Sequence, residues 1–481
     1  RYITEHGGSR NAYTSFEHTN YFFDVNAAYL PEALDRFAQF FIAPRFDEQY
    51  VDREKNAVEA EYQMGLKSDA RRGLDVLQEV MNQEHPFSQF SVGSLETLAD
   101  RPDSTVRDDL LKFYDQFYSA NLMRLVVLGS ESLDEMEALV APMFSQVPDK
   151  SYSHDMIEQP MFAPGALPML VEIEPQATAR QLQVSFPIAD YRENYPVKPA
   201  SYVSNLIGHE GAGSLLSQLK KEGLAESLAA GAGLGWRGGS LLSVSITLTE
   251  KGVDEYERVL QLLFSYTGML RDKGPQDWLY EESSQVANLS FRFQEELEPI
   301  RYVSALASGM HYYQAEDLLQ GPYMMTRFDA DMISDVLAQL VPDNAMVVLS
   351  AKGVKTDRIS DKYQVPYSVQ TLSAAQLAAW SSDHDAGALH LPVPNEFIAE
   401  DVSLVKIARD NPAVPEIALQ LDRQTIWFRQ DNEFRVPKGA TYINFRSPEI
   451  GQNAEQTAAA VLYTSLLKDE LNEFAYPALL A

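Results

Sequence analysis

The sequence predicts an α+β protein built of tandem domains, and three observations carry that prediction. Short apolar runs of strand length alternate with amphipathic helical stretches. The order of strands followed by paired helices occurs twice and then begins a third time. At 481 residues the chain has room for roughly three domains of ~150 residues, each with a core of its own. Apolar residues make up 45% and charged residues 22%, with 25 Gly and 25 Pro, so the composition is that of a folded globular protein.

In the first region, 1–150, Tyr21–Val25 reads as a strand, Pro31–Phe41 as a helix, and Asp47–Met64 as a long helix rich in Glu and Ala. Thr105-Val-Arg-Asp108 opens a further helix as a capping-box variant, with Leu110, Leu111, Phe113 and Phe117 as its apolar stripe. A strand at Met123–Leu128 and a helix at Leu133–Phe144 close the region. Residues 147–168, with their prolines, read as a linker. The second region, 165–395, starts with strands at Met169–Ile173 and Gln181–Phe186 and continues through helices near Ser201–Ile207, Ser214–Lys221 and Val253–Leu270. Residues 361–420 are rich in proline and read as irregular, with 396–422 as the interdomain linker. A third region, 423–481, begins with strands at Gln424–Phe428 and Thr441–Phe445 and a helix at Asn453–Leu471.

Composition excludes several functions. A net charge of −30 repels phosphates and anionic lipid, which speaks against nucleic-acid partners and membrane surfaces. There is no Cys, so a metal would have to be held by His, Asp or Glu. No apolar run approaches the ~20 residues that cross a bilayer, and Leu125–Leu128 reads as a short buried strand. Residue 1 is Arg, and Arg1–Gly8 has neither the charged start nor the apolar stretch of a signal peptide. The eight histidines, at 6, 18, 85, 154, 209, 311, 384 and 390, include no pair at the i, i+4 spacing of a zinc-binding helix. There is no G-x-S-x-G elbow, phosphate-binding loop or dinucleotide fingerprint, and Gly211-Ala-Gly213 is too short to count.

Asp52-Arg-Glu-Lys-Asn-Ala-Val-Glu-Ala-Glu61 places Glu54 and Glu61 seven residues apart, on one helix face and about 10 Å apart along the axis. A carboxylate on a rigid helix can ligate zinc, and a second one nearby can orient a histidine ligand. Spacing alone favours a solvated acidic face, because Glu/Lys/Ala-rich helices commonly place glutamates this way.

The run Glu5-His-Gly-Gly-Ser-Arg-Asn-Ala-Tyr-Thr-Ser-Phe-Glu-His-Thr-Asn-Tyr-Phe-Phe-Asp-Val25 resembles the stretch that follows the H-x-x-E-H helix in the pitrilysin/insulysin zinc metallopeptidases. Leu34–Phe41, Asp52–Val58, Ser119–Gly129, Ile207–Ser217, Asn288–Phe293 and Leu466–Asn472 continue the likeness in family order across essentially the whole chain. The resemblance implies tandem homologous α/β-sandwich domains, two nearly complete and a third begun. It implies a zinc (Zn2+) endopeptidase that degrades peptides and unfolded polypeptides inside an enclosed chamber. Glu61 matches the family's third zinc ligand, and Glu54 matches a residue supporting the site from just outside it. Asn11 and Ala12 match the edge strand on which substrate pairs. Gly208, Glu210 and Leu228 match an exosite that captures the substrate's N-terminal end, although Ala230 stands where members carry a further glycine. His209 reads as a structural residue.

The same resemblance places H-x-x-E-H upstream of residue 1, so this chain alone is expected not to hydrolyse peptides. The alternative is a non-catalytic relative acting as a structural or partner subunit. Closeness to the bacterial type suggests a periplasmic protein, and a homodimer is left open.

Overall fold

The computed structural model describes residues 1–381, 388–407 and 412–481, which leaves His384 outside the described residues. Two compact units are present, Arg1–Ser284 with Glu295–Pro392 and Gln285–Gln294 with Val393–Ala481. Residues 1–150 and nearly all of 165–395 therefore share the first unit.

The first unit opens with the short helix α1 (Tyr2–Glu5) and the antiparallel pair β1 (Arg10–Thr14) and β2 (Thr19–Phe23). Helices α2 (Leu30–Ile42), α3 (Glu48–Gly65), α4 (Asp69–Val80), α5 (Val106–Phe117) and α6 (Leu133–Phe144) follow. Local chemistry starts two of them. Thr105 and Asp108 form a reciprocal capping box on α5, and Ser132 and Glu135 form another on α6. Helix α4 was not expected from sequence, and the strand expected at Tyr21–Val25 lies two residues earlier, as β2.

The centre of the unit is a seven-stranded sheet in the order β5-β6-β4-β7-β3-β9-β8. Its strands are β3 (Met169–Ile173), β4 (Gln181–Ile188), β5 (Ala225–Trp236), β6 (Gly239–Leu248), β7 (Met346–Ser350), β8 (Arg358–Ile359) and β9 (Pro366–Thr371). Only β3 and β7 run parallel; the other pairs are antiparallel. Period-2 alternation sends Leu182, Val184 and Phe186 of β4 and Leu242, Val244 and Ile246 of β6 to one face. There they meet α7 (Pro199–Ile207), α8 (Leu215–Lys221), α10 (Tyr256–Lys273) and α13 (Ala330–Gln339), with α9 (Glu250–Asp254), α11 (Asp277–Arg292), α12 (Pro299–Gly309) and α14 (Ala374–Ser381) completing the helices. The opposite face, with Met169, Val171 and Leu241, packs on Val76 of α4 and on Met161 and Phe162.

Several expectations are corrected here. Met123–Leu128 forms no strand, and Leu125 and Leu128 are exposed, because no neighbouring strand pairs with the segment among the described residues. Residues 147–168 are irregular yet not a free linker, since Met161 and Phe162 are only 2% and 5% exposed. The stretch 361–420 is not irregular throughout: it supplies β9 and α14. The helix expected at Val253–Leu270 is broken at Glu255 into α9 and α10.

The second unit contains the hairpin β10 (Glu416–Gln420) and β11 (Thr425–Phe428), followed by α15 (Ala454–Glu470) and α16 (Asn472–Leu480). Asn453 caps α15. Thr441–Phe445 is not a strand; it is unpaired among the described residues and exposes Tyr442 and Phe445.

Candidate functional site

Helix α3 carries both predicted carboxylates. Val51, Lys55, Val58, Tyr62 and Leu66, at i, i+4, i+7, i+11 and i+15, form the half-buried flank. Glu54 and Glu61 lie together about 100° round the helix from Tyr62 and are exposed. Neither makes a hydrogen bond or ion pair within the described residues. By contrast, Glu59 accepts from the Leu95 N–H at 2.7 Å and from the Gln63 amide at 2.7 Å, which holds its carboxyl below the usual range. Of these neighbouring acids on one helix, Glu59 is held by hydrogen bonds and the Glu61 carboxylate has no partner among the described residues.

Asn11 and Ala12 lie on β1, whose every residue is exposed and which, among the described residues, pairs with β2 alone. Asp24 N donates to Ser9 O and Ser15 N to His18 O. With the register Asn11↔Phe22, these bonds turn the backbone groups of Arg10, Ala12 and Thr14 towards the open edge. The Ala12 N–H is taken up by the Asn11 side-chain oxygen at 2.9 Å. The pair is fixed from behind by α12: Tyr13 and Asn20 hydrogen-bond the Ser308 hydroxyl at 2.8 and 3.0 Å, and Asn20 also donates to Ser304 O. No hydrogen bond joins β1 to Glu61 among the described residues.

Gly208 ends α7 beside β5, an edge strand of the large sheet. A Cβ at Gly208 would stand 3.1 Å from Ser204 O and 3.7 Å from Ala230 N, so helix end and strand come together here. The Ala230 Cβ lies 4.0 Å from where a Cβ on Gly208 would stand, so the two positions adjoin. Leu228 is 7% exposed and belongs to the core, so its side chain packs inward from the edge strand. Glu210 is half-buried. His209 accepts from Gly211 N at 3.0 Å, and burial pushes its imidazole down to about 4, consistent with a structural residue.

Sequence reading missed a cavity of about 1550 Å³ lined by β2, α12 and residues 122–129, with His18, His154 and His311 on its polar wall. None of the seven predicted residues lines it. It also missed helix α4 and its polar seat, because nothing local in Asp69-Ala-Arg-Arg-Gly-Leu-Asp75 shows that its charges meet backbone groups far along the chain. No group of three or more His, Asp or Glu side chains placed to hold a metal occurs among the described residues. Glu54 and Glu61 are exposed carboxylates on one face of α3, and the described residues bring no third metal-ligating side chain to them.

Residues 1–91 match the insulinase family, peptidase family M16; residues 105–286 match the peptidase M16 inactive domain; and residues 291–481 match the middle or third domain of peptidase M16. The chain is 38% identical over 486 residues to the insulin-degrading enzyme of Homo sapiens, covering 100% of this chain and 48% of that protein. It is 35% identical over 482 residues to the A-factor-processing enzyme of Saccharomyces cerevisiae, covering 99% of this chain and 47% of that protein. The crystal structure of pitrilysin superposes with a TM-score of 0.86 at 28% identity, over 100% of this chain and 51% of that one. The chain spans about half the length of the curated relatives it matches.

Proposed function

Because the chain belongs to peptidase family M16, we propose that it supplies the acidic metal ligand and the substrate-pairing edge of a zinc-dependent endopeptidase acting on peptides and unfolded polypeptides. The observation that carries this is Glu61: exposed, without a partner among the described residues, and presented by a helix whose neighbouring positions are tied down. Zinc, when bound, polarises the scissile carbonyl and lowers the pKa of the attacking water.

The chain's own residues do the rest of what can be derived. Glu61 offers a hard anionic oxygen, and Glu54, two turns earlier on the same face, can accept from an imidazole N–H. The open edge of β1 accepts an extended strand, which favours unfolded substrates because a folded one has no free strand to add. An incoming carbonyl that takes the Ala12 N–H displaces the Asn11 side-chain oxygen. That frees the Asn11 amide to bond the substrate.

The test is the gene product containing this chain, assayed for bound zinc and for cleavage of an unstructured peptide beside its Glu61→Gln variant. Loss of both, with the rate down more than about 100-fold, is expected, since loss of an outer-sphere partner already costs ~10–100-fold. A variant that holds zinc and cleaves at the parental rate removes Glu61 from the site. A parent that neither binds zinc nor cleaves transfers the protein to the class of non-catalytic structural or partner subunits.

A further inference from the structure

Helix α3 is gripped beside Glu61 by a loop 300 residues further along the chain. The Tyr62 hydroxyl donates to the backbone carbonyl of Lys362. Its ring stands edge-on to Tyr363 at 5.4 Å and to Phe90 at 5.8 Å. One turn on, Gly65 lies against Tyr363, where a Cβ would come within 3.3 Å of the phenol oxygen.

The loop is itself immobilised. Ser360 Oγ accepts from Val365 N at 2.9 Å, and Asp75 accepts from Tyr363 N at 2.9 Å. Arg72 donates to Tyr363 O at 3.1 Å, and Glu79 accepts from Asp361 N at 2.5 Å and from the Tyr367 hydroxyl at 2.6 Å. On the other side of Glu61, Glu59 holds the Leu95 N–H. Glu61 thus has no partner of its own among the described residues, while the residue after it and the one two before it are each fixed to a different piece of backbone. Where α3 sits determines where the carboxylate sits, and a misplacement of about 1 Å can cost ~10²-fold in rate.

We propose that Tyr62 is a positioning residue for Glu61, acting through its hydroxyl on the 360–365 loop. This rests on the metal-ligand reading of Glu61. Tyr62→Phe keeps the ring packing and removes one O–H. In the gene product containing this chain it lowers kcat about 10-fold and weakens affinity in a zinc chloride titration about 10-fold, in the range of lost outer-sphere partners. KM for the peptide and the thermal midpoint stay near parental values. In the chain 1–481 itself, hydrogen exchange of backbone amides 58–65 accelerates while that of strand β6 does not. Tyr363→Phe removes a buried hydroxyl that has no hydrogen-bond partner among the described residues and leaves all five readouts unchanged.

If Glu61→Gln keeps zinc and activity, the ligand reading fails and takes this inference with it. If Glu61→Gln loses both while Tyr62→Phe matches the parent in kcat, zinc affinity and exchange at 58–65, the positioning role alone is overturned. A Tyr62→Phe loss that only tracks a lowered thermal midpoint also overturns it.

Discussion

Residues 1–150 and the seven-stranded sheet module belong to one unit yet are held together by different forces. The sheet module buries Leu182, Val184, Phe186, Leu242, Val244 and Ile246 at 0% exposure and covers both sheet faces. Residues 1–150 bury few apolar side chains, chiefly Ala33, Leu34, Ala38 and Val76, and leave Phe40 and Phe113 at 62% and 55% exposure. Beside the apolar contact of Val76 with the sheet, they have polar docking. Along α4, Asp69 takes the N–H groups of Gln176 and Ala177, Arg72 the Tyr363 carbonyl, Asp75 the Tyr363 N–H, and Glu79 the Asp361 N–H. Side chains of one region thus satisfy backbone groups of the other, which would otherwise be left unpaired in the interface. The lesson concerns the carboxylates: Glu54 and Glu61 stand on the region that depends most on its neighbour for order.

The sharpest test of this contrast is truncation within each region. Leu242→Ala should destabilise by about 3–5 kcal/mol, because a fully buried leucine leaves a cavity. Phe113→Ala should cost under about 1 kcal/mol, measured for both by urea denaturation. Equal losses would abolish the distinction.

Next comes the docking face. Asp75→Ala leaves the Tyr363 N–H unpaired and should cost about 1–3 kcal/mol, with hydrogen exchange rising in α4 ahead of β4 and β6. Burial raises the Asp75 carboxyl pKa, so its ionisation weighs against folding as pH rises through the shifted value. Asp75→Asn, which can still accept the N–H, should therefore be milder than the alanine at pH 7. An asparagine as damaging as the alanine would mean that the charge itself is needed.

Acidification tests the histidines of both regions. Burial holds His209 down to about 4 against an unperturbed 6.5, and it lowers His18, His85, His154 and His311 as well. Below ~6.5 the unfolded chain takes up protons that the folded chain refuses. Stability is therefore whole above pH ~6.5 and is lost progressively as the pH falls towards 4. His209→Gln should flatten that slope in denaturation midpoints recorded between pH 7 and 5. An unchanged slope would assign it to the other four.

The smallest expected effect is local. Thr105→Ala removes the cap of α5 and should cost about 1 kcal/mol by the same denaturation measurement. A loss above about 3 kcal/mol would show that α5 is integral to a core rather than an outlying helix.

The amino-acid sequence by itself determined what depends on neighbours a few residues away. The cap at Thr105 was legible because its side chain bonds a backbone N–H three positions on, and the starts of α8 and α15 were legible to within one residue. The bounds of α6 and β3 were legible from apolar periodicity, and the common face of Glu54 and Glu61 from the helical repeat. Period and capping are silent about partners far along the chain. Only the tertiary structure decided that Met123–Leu128, strand-like in composition, has no ladder, since a strand is defined by the backbone beside it. It alone decided that Asp69, Arg72, Asp75 and Glu79 are interface anchors, and that Tyr62, next to Glu61, reaches Lys362. Those bonds join residues separated by 107 to 300 positions, and such separations leave no trace in local sequence.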